Sequence, residues 1–266
     1  MRARLRIVGA VVAVVAAIAL LAGAIVWFFA PRGGGGGAPA ASEEPLPSWA
    51  PPAEPPVVAA ERTGPGIGGI VDPAWLAATS AATGIPEQAL AAYAGAAIFK
   101  AETMPACGLS WATLAGVGAT ESDHGRHGGS RLDADGTATP GIFGVALDGE
   151  GVALIPDSDG GEIDGDPDLD RAVGPMQLIP EAWRNWHVDG GGDGVEDPQN
   201  IYDAVLAAAN YLCRASSAFH TEEGWRAGIR SYNVPEHYLG TVARYAVRYA
   251  EAVRAPTPAP TPTPAP

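Results

Sequence analysis

Apolar residues recur at helical spacing through much of the chain. In the segment LSWATLAGVGATESDHGR, Leu114, Val117 and Glu121 follow one another at i, i+3 and i+7. A carboxylate therefore lies on the stripe that should face the core. Ser110 is a suitable N-cap and Gly125 a suitable helix stop. The pattern predicts a helix that carries an acid on its buried face, close to its C-terminal end.

The predicted position of Glu121 has a chemical consequence. Burial raises the pKa of a carboxyl, and the negative end of the helix macrodipole raises it further. A carboxyl that stays protonated near neutral pH and still reaches solvent is what a general acid requires. The alternative is a side chain that turns out to water at the helix end, because perturbed acids also occur in structural networks. Periodicity leaves both interpretations open.

The same periodicity predicts further helices on both sides of this one. Asp72 caps a helix that begins at Pro73, and another begins at Pro86. In the second of these helices the core positions are Leu90, Tyr93 and Ala97. Later patterns predict helices around Trp183, from about Ile201 to Arg214, around Trp225, and from about Pro235 to Val253. Three tyrosines of the last helix recur at helical spacing and are interpreted as core residues: Tyr238, Tyr245 and Tyr249.

The segment from Asp133 to Asp170 has a different composition. It contains 11 Asp or Glu residues and no Lys or Arg. No spacing of oxygen ligands is satisfied cleanly, so a solvated surface insertion is favoured over a metal site. Within it, GIFGVAL and GVALIP flank DGEG, which predicts a short β-hairpin at one side of a cleft. The fold class is therefore mainly α (α+β), with a small β-hairpin insertion.

Both ends of the chain have non-globular compositions. Residues 1–30 contain a basic start and an apolar run of about 24 residues, long enough to span a bilayer, with the basic flank in the cytoplasm. The alternative is a signal peptide cleaved after Ala24. Residues 31–71 are rich in Pro and Gly and predict a flexible linker, and residues 255–266 predict a disordered Pro/Thr-rich tail. The globular domain is predicted over 72–254, outside the cytoplasm on a single-pass membrane protein or secreted to the cell wall.

Charge and cysteine content restrict the function further. The net charge is −14, and no clustered basic face is visible, which argues against nucleic acid as a partner. The two cysteines, Cys107 and Cys213, are expected to form a disulfide in an exported chain. Two free buried thiols are the alternative.

Four segments in order resemble a known enzyme family: TESDHGRHGG, DRAVGPMQLIPEAW, DPQNIYDAVLAAANYLC and SYN followed by a Tyr-bearing helix. Together they are similar to the lytic murein transglycosylases of the membrane-bound lytic transglycosylase B type, in their actinobacterial form. The resemblance covers roughly residues 72 to 252. It implies a lysozyme-like fold, peptidoglycan glycan strands as substrate, and Glu121 as the single catalytic acid.

The resemblance also implies an activity that needs one carboxylate. The acid protonates the glycosidic oxygen between MurNAc and GlcNAc, then accepts a proton from the MurNAc C6 hydroxyl as a 1,6-anhydro ring closes. An ordinary glycosidase would need a second acid. Asp123 and Glu102 are the candidates for such a partner. A hydrolytic muramidase and a non-catalytic peptidoglycan-binding scaffold remain the alternative functions.

Further positions match the family's motifs one at a time. Ser122 follows the acid and is expected to orient it or the substrate, or else to be only a Ser at a helix end. Gln177 resembles an amide that faces the sugar chain, and Gly174 permits close backbone approach. Met176 and Leu178, beside them, are interpreted as core. Tyr232 and Asn233 match a Tyr-Asn pair near the acid, although VPEH follows here in place of the family's usual Ser or Asp.

The loop DGGGDGVEDPQN has part of the pattern of an EF-hand calcium loop. The expected ligands are Asp189, Asp193, Val195 through its carbonyl, and Asp197. Gly191 and Asn200 stand where two further carboxyl-group ligands belong, and Asp203 is a candidate replacement. We expect either weak binding of a structural Ca²⁺ or a Gly-rich turn without metal. No cofactor is expected to be required.

Overall fold

The computed structural model describes residues 45–254. Within this part of the chain the helices are α1 (Pro73–Thr83), α2 (Glu87–Thr103), α3 (Trp111–Ser122), α4 (Pro180–Trp186), α5 (Ile201–Ala215), α6 (Glu222–Tyr232) and α7 (Glu236–Arg254). The strands are β1 (Arg131–Leu132), β2 (Ala138–Thr139), β3 (Phe143–Ala146) and β4 (Arg171–Val173). The mainly α fold class predicted from the sequence is confirmed.

Side-chain caps fix where several helices begin. Asp72 accepts a hydrogen bond from the Trp75 N–H at 2.8 Å, and Ser110 accepts one from the Thr113 N–H at 3.3 Å. These contacts confirm both predicted N-caps. The predicted end of α3 was slightly wrong: Asp123, in the left-handed conformation, is the C-cap, before Gly125 is reached.

The core is built around α3, which packs against α2 and α7. Leu90, Tyr93 and Ala97 of α2 are buried, as their spacing predicted. A Cβ at Gly116 of α3 would lie 2.7 Å from the Val242 carbonyl oxygen of α7. Helices α3 and α7 therefore approach closely, and any larger residue at position 116 would force them apart.

The predicted hairpin is wrong in its main pairing. Strand β3 pairs antiparallel with β4, with Phe143 opposite Val173, and not with the GVALIP segment. Only one bridge, between Asp148 and Leu154, remains of the predicted hairpin. The physical reason is burial: Ala172 and Val173 of β4 are 1% exposed, whereas the Leu154 side chain is 62% exposed. Pairing with β4 ties β3 to the core.

Part of the linker predicted over residues 31–71 contacts the domain: Ala50, Ala53, Ile67 and Val71 are buried, although most of residues 51–65 are exposed. We call residues 45–58 the N-terminal strap. The strap buries Ala50 and Ala53, and its Glu54 carbonyl accepts a hydrogen bond from the Trp111 indole at 3.0 Å. Prolines restrict its backbone while leaving carbonyl oxygens free to accept such bonds. Small apolar side chains between the prolines fill space against the helices.

The disulfide prediction is confirmed, because Cys107 and Cys213 are bonded. The bond joins the segment before α3 to the last turn of α5 across a sequence separation of 106 residues. In the chain-entropy model, closing a loop of that length stabilises the fold by roughly 4 to 5 kcal/mol.

Residues 1–44 and 255–266 lie outside the described residues, and with them the predicted membrane or signal segment, residues 31–44 of the linker, and the predicted tail. Among the helices of residues 45–254, none is long and apolar enough to cross a bilayer.

Candidate active site

Glu121 lies in the last turn of α3 and is only 6% exposed. Burial raises the pKa of its carboxyl to about 8, and a hydrogen bond from the Tyr238 hydroxyl to Oε1 opposes part of that rise. The prediction of a buried acid with a raised pKa is confirmed. A side chain that turns out to water is not observed. The carboxyl is protonated at neutral pH and can therefore donate a proton.

Tyr238 holds the Glu121 carboxyl in place from the first turns of α7. Its side chain is fully buried, which agrees with its interpretation as a core residue. Its contact with the acid was nevertheless not predicted from the sequence. A buried carboxyl requires a hydrogen-bond partner, and a core tyrosine on a neighbouring helix is a natural donor. From that requirement a contact between Glu121 and a core tyrosine could have been predicted.

The GPMQ segment forms a tight turn next to the end of α3. Gly174 has φ +71°, and a Cβ there would lie 1.7 Å from the Pro198 carbonyl oxygen. Gly174 therefore permits a close backbone approach within the fold, to Pro198, and its place in substrate binding stays a prediction. Gln177 also has a left-handed backbone, with φ +48°, and its side-chain amide donates to the Gly174 carbonyl at 3.0 Å.

Two side chains tie the GPMQ turn to the helices. The Ser122 hydroxyl donates to the Pro175 carbonyl at 2.6 Å and accepts the Gly125 N–H at 2.8 Å. The Tyr232 hydroxyl donates to the Met176 carbonyl at 2.6 Å. Ser122 thus fixes the turn beside the acid, which is more than a Ser at a helix end would do.

The remaining residues of this region are buried. Met176 and Leu178 lie in the core, as predicted. Asn233 caps the end of α6 and is 3% exposed. Among residues 45–254, its Oδ1 is the buried side-chain atom that has no hydrogen-bond partner. This oxygen is therefore an exception to the rule that buried polar atoms are hydrogen-bonded.

His124 forms a buried hydrogen-bonded cluster that the sequence patterns did not indicate. Its Nδ1 lies 3.1 Å from the Tyr93 hydroxyl on α2, and its Nε2 lies 2.9 Å from the Tyr249 hydroxyl on α7. Burial lowers the pKa of His124 to about 4, so the ring is neutral at pH 7. The cluster connects α2 and α7 to the backbone just after Glu121. Tyr249, interpreted as core, is buried but also belongs to this cluster. Tyr245 is half-buried and packs against the core from its edge.

The two candidate partner acids face solvent. Asp123 forms an ion pair with Arg126 at 2.7 Å, and 65% of its side chain is exposed. Glu102 is exposed near the end of α2. Neither carboxylate shares the buried environment of Glu121.

The loop predicted to resemble an EF-hand uses its carboxylates within the loop itself. Asp189 accepts hydrogen bonds from three N–H groups, those of Gly192, Asp193 and Gly194. Asp193 accepts the N–H of Val195. These contacts define a Gly-rich turn, and calcium binding there stays a prediction.

Asp203 lies behind this loop and is 2% exposed. It accepts the N–H groups of Gly190, Gly191 and Asp197, and burial raises its pKa to about 6. Its carboxylate therefore orders the backbone of the loop. In residues 45–254, three carboxylates come within 4.8 Å of one another elsewhere, at Asp157, Asp159 and Asp170 in the acidic segment.

Comparison with known proteins identifies one similarity. Residues 170–251 match the family model described as "Transglycosylase SLT domain". No curated protein and no solved structure matches the chain. The matched part runs from β4 through the GPMQ turn to α7 and includes Tyr232, Asn233 and Tyr238. Glu121 lies before it. The mainly α fold agrees with the lysozyme-like fold that the sequence resemblance implies.

Proposed function

We propose that this protein is a lytic transglycosylase that cleaves the β-1,4 bond between MurNAc and GlcNAc in peptidoglycan. The similarity of residues 170–251 to transglycosylase SLT domains supports this substrate class. The four sequence motifs favour the membrane-bound B type within that class. The observation that carries the proposal is the buried Glu121 carboxyl with a pKa raised to about 8.

In the proposed reaction Glu121 acts first as an acid. Its proton passes to the glycosidic oxygen, the C1–O bond breaks, and GlcNAc leaves with a free C4 hydroxyl. The Glu121 carboxylate then accepts the proton of the MurNAc C6 hydroxyl. The C6 oxygen bonds to C1 and closes the 1,6-anhydro ring. The proton balance closes on one carboxyl, so neither water nor a second carboxylate nucleophile is consumed.

The neighbouring side chains suit both halves of this cycle. Burial keeps the proton on Glu121 before cleavage, whereas the Tyr238 hydroxyl stabilises the carboxylate that cleavage leaves behind. Ser122 and Tyr232 hold the GPMQ turn, and with it Gln177, beside the acid. We assign Ser122, Gly174, Gln177, Tyr232 and Asn233 to substrate binding and to the shape of the cleft.

The experiment that tests this assignment compares two carboxyl-to-amide variants of residues 45–254. Glu121→Gln removes the buried acid, and Glu102→Gln removes an exposed acid on α2. Release of soluble fragments from purified peptidoglycan should fall by about 100-fold or more in Glu121→Gln. It should stay unchanged in Glu102→Gln. A folded Glu121→Gln variant that retains activity would rule out the assignment.

We also propose that the domain works outside the cytoplasm, anchored by the N-terminal segment. Its disulfide favours an oxidising compartment. A structural Ca²⁺ in the 189–197 loop remains part of the proposal, and the reaction requires no cofactor.

A further inference from the structure

Two exposed arginines on α7 lie against the aromatic rings of tyrosines. The Arg248 guanidinium carbon is 4.9 Å from the Tyr245 ring centre and 5.1 Å from the Tyr249 ring centre. The Arg244 guanidinium carbon is 5.7 Å from the Tyr245 ring centre. The two tyrosine rings are stacked, with centres 6.0 Å apart. We call Arg244, Tyr245 and Arg248 the α7 arginine patch.

The patch differs from its surroundings in charge. The chain has 30 acidic residues against 16 Lys and Arg. Within residues 45–254, Arg126, Arg171, Arg226 and Arg230 all form ion pairs with carboxylates, whereas Arg244 and Arg248 form none. Apart from one hydrogen bond from Arg248 to the Tyr249 hydroxyl, both guanidinium groups therefore keep their N–H donors for a partner from outside the fold.

Contact with the tyrosine rings also prepares the patch for binding. Cation–π contact restrains the arginine side chains on the helix surface, so less side-chain entropy is lost when a partner binds. The Arg248 guanidinium additionally donates to the Tyr249 hydroxyl at 3.3 Å. A planar guanidinium group matches the two oxygens of a carboxylate.

The patch is connected to the candidate active site through the His124 cluster. Tyr249 contacts both Arg248 and the His124 ring, and His124 follows Glu121 by three residues. The patch therefore borders the buried cluster that follows the candidate acid along the chain.

We propose that the α7 arginine patch binds the carboxylates of the peptide stems carried by the glycan strand. This inference rests on the proposed function, because it takes peptidoglycan as the polymer in the cleft. It adds a substrate preference: stems with free carboxylates bind better than stems whose carboxylates are amidated.

Binding to insoluble peptidoglycan tests the patch without any need for turnover. Each protein carries Glu121→Gln so that the polymer stays intact. The patch variant adds Arg244→Gln and Arg248→Gln. A control variant adds Arg62→Gln and Arg214→Gln, which remove the same charge from other exposed positions. Sedimentation measures the dissociation constant. The patch variant should bind about three- to tenfold more weakly than the control.

Chemical treatment of the polymer identifies the group that is bound. Amidation of the stem carboxylates should weaken the binding of the control variant, so that the two variants then bind equally. Removal of phosphodiester-linked wall polymers should leave that difference in place. The proposal would be overturned if the two variants bind equally or if neither binds. It would also be overturned if their difference in binding disappears when the phosphodiester-linked polymers are removed. The patch variant could still bind more weakly than the control while the wild-type protein never cleaves peptidoglycan. That result would overturn only the proposed function.

Discussion

Replacing Glu121 by Gln should make the protein more stable at neutral pH while it abolishes activity. In the unfolded chain this carboxyl titrates near its ordinary pKa of 4.5, whereas in the folded protein its pKa is about 8. Between these values the folded state holds a proton that the unfolded state has released. The free energy of unfolding therefore falls as pH rises through this window, and levels off above about pH 8.

The size of the effect follows from the two pKa values. A tenfold difference in proton affinity corresponds to about 1.4 kcal/mol, so the buried carboxyl costs the fold roughly 3 kcal/mol at pH 7. At pH 4 both states are largely protonated and the cost nearly vanishes. Gln has nearly the same shape and its amide oxygen can still accept the Tyr238 hydroxyl, so the variant lacks only the titration.

Urea unfolding of wild type, Glu121→Gln and Glu102→Gln at pH 4 and pH 7 measures this cost. The stability gain of Glu121→Gln over wild type should be larger at pH 7 than at pH 4 by roughly 3 kcal/mol. Replacing the carboxyl by an amide can also change the free energy of unfolding by an amount that does not depend on pH. That amount cancels when the two pH values are compared. Glu102→Gln should show no such change. An equal gain of Glu121→Gln at both pH values would refute the role of burial.

Three further predictions concern the hydrogen bond to the acid, the glycine of the GPMQ turn and the N-terminal strap. Tyr238→Phe removes a hydrogen bond that lowers the pKa of Glu121, so the alkaline limb of the pH–rate profile should move to higher pH; an unmoved limb would contradict this. Gly174→Ala should cost at least about 3 kcal/mol of unfolding free energy, because its Cβ would meet the Pro198 carbonyl. Gly128→Ala, at a similar positive φ but with open space around it, should cost only about 1 kcal/mol, and equal costs would disprove the clash. Residues 59–254 should have a free energy of unfolding roughly 2 to 4 kcal/mol lower than residues 45–254, through loss of the strap's buried apolar surface; equal free energies in urea unfolding would show that the strap is dispensable.

Local chemistry allowed much of the helical framework to be predicted. Asp72 and Ser110 cap their helices as their sequence contexts indicated. The position of Glu121 on an apolar stripe correctly predicted its burial. Such signals lie within a few residues of the feature that they predict, so tertiary structure does not need to be known.

Features that depend on distant contacts were not predictable in the same way. The pairing of Phe143 with Val173 depends on which later segment reaches the core, and an adjacent apolar run was a plausible but wrong partner. The strap has the composition of a spacer, and its order depends on contacts with distant helices, such as the hydrogen bond from Trp111 to the Glu54 carbonyl. Helical spacing placed Tyr238 in the core, but it did not reveal that Glu121 would be its neighbour.

Mass analysis of the cleavage products tests the central claim most directly. Purified residues 45–254 are incubated with peptidoglycan, and the new glycan ends are identified. If Glu121 acts as acid and then as base on the C6 hydroxyl, new MurNAc ends should carry the 1,6-anhydro ring, lighter by one water than a reducing end. Reducing MurNAc ends would show a hydrolase, and intact polymer with retained binding would show a scaffold; either result would contradict the proposed single-carboxylate mechanism.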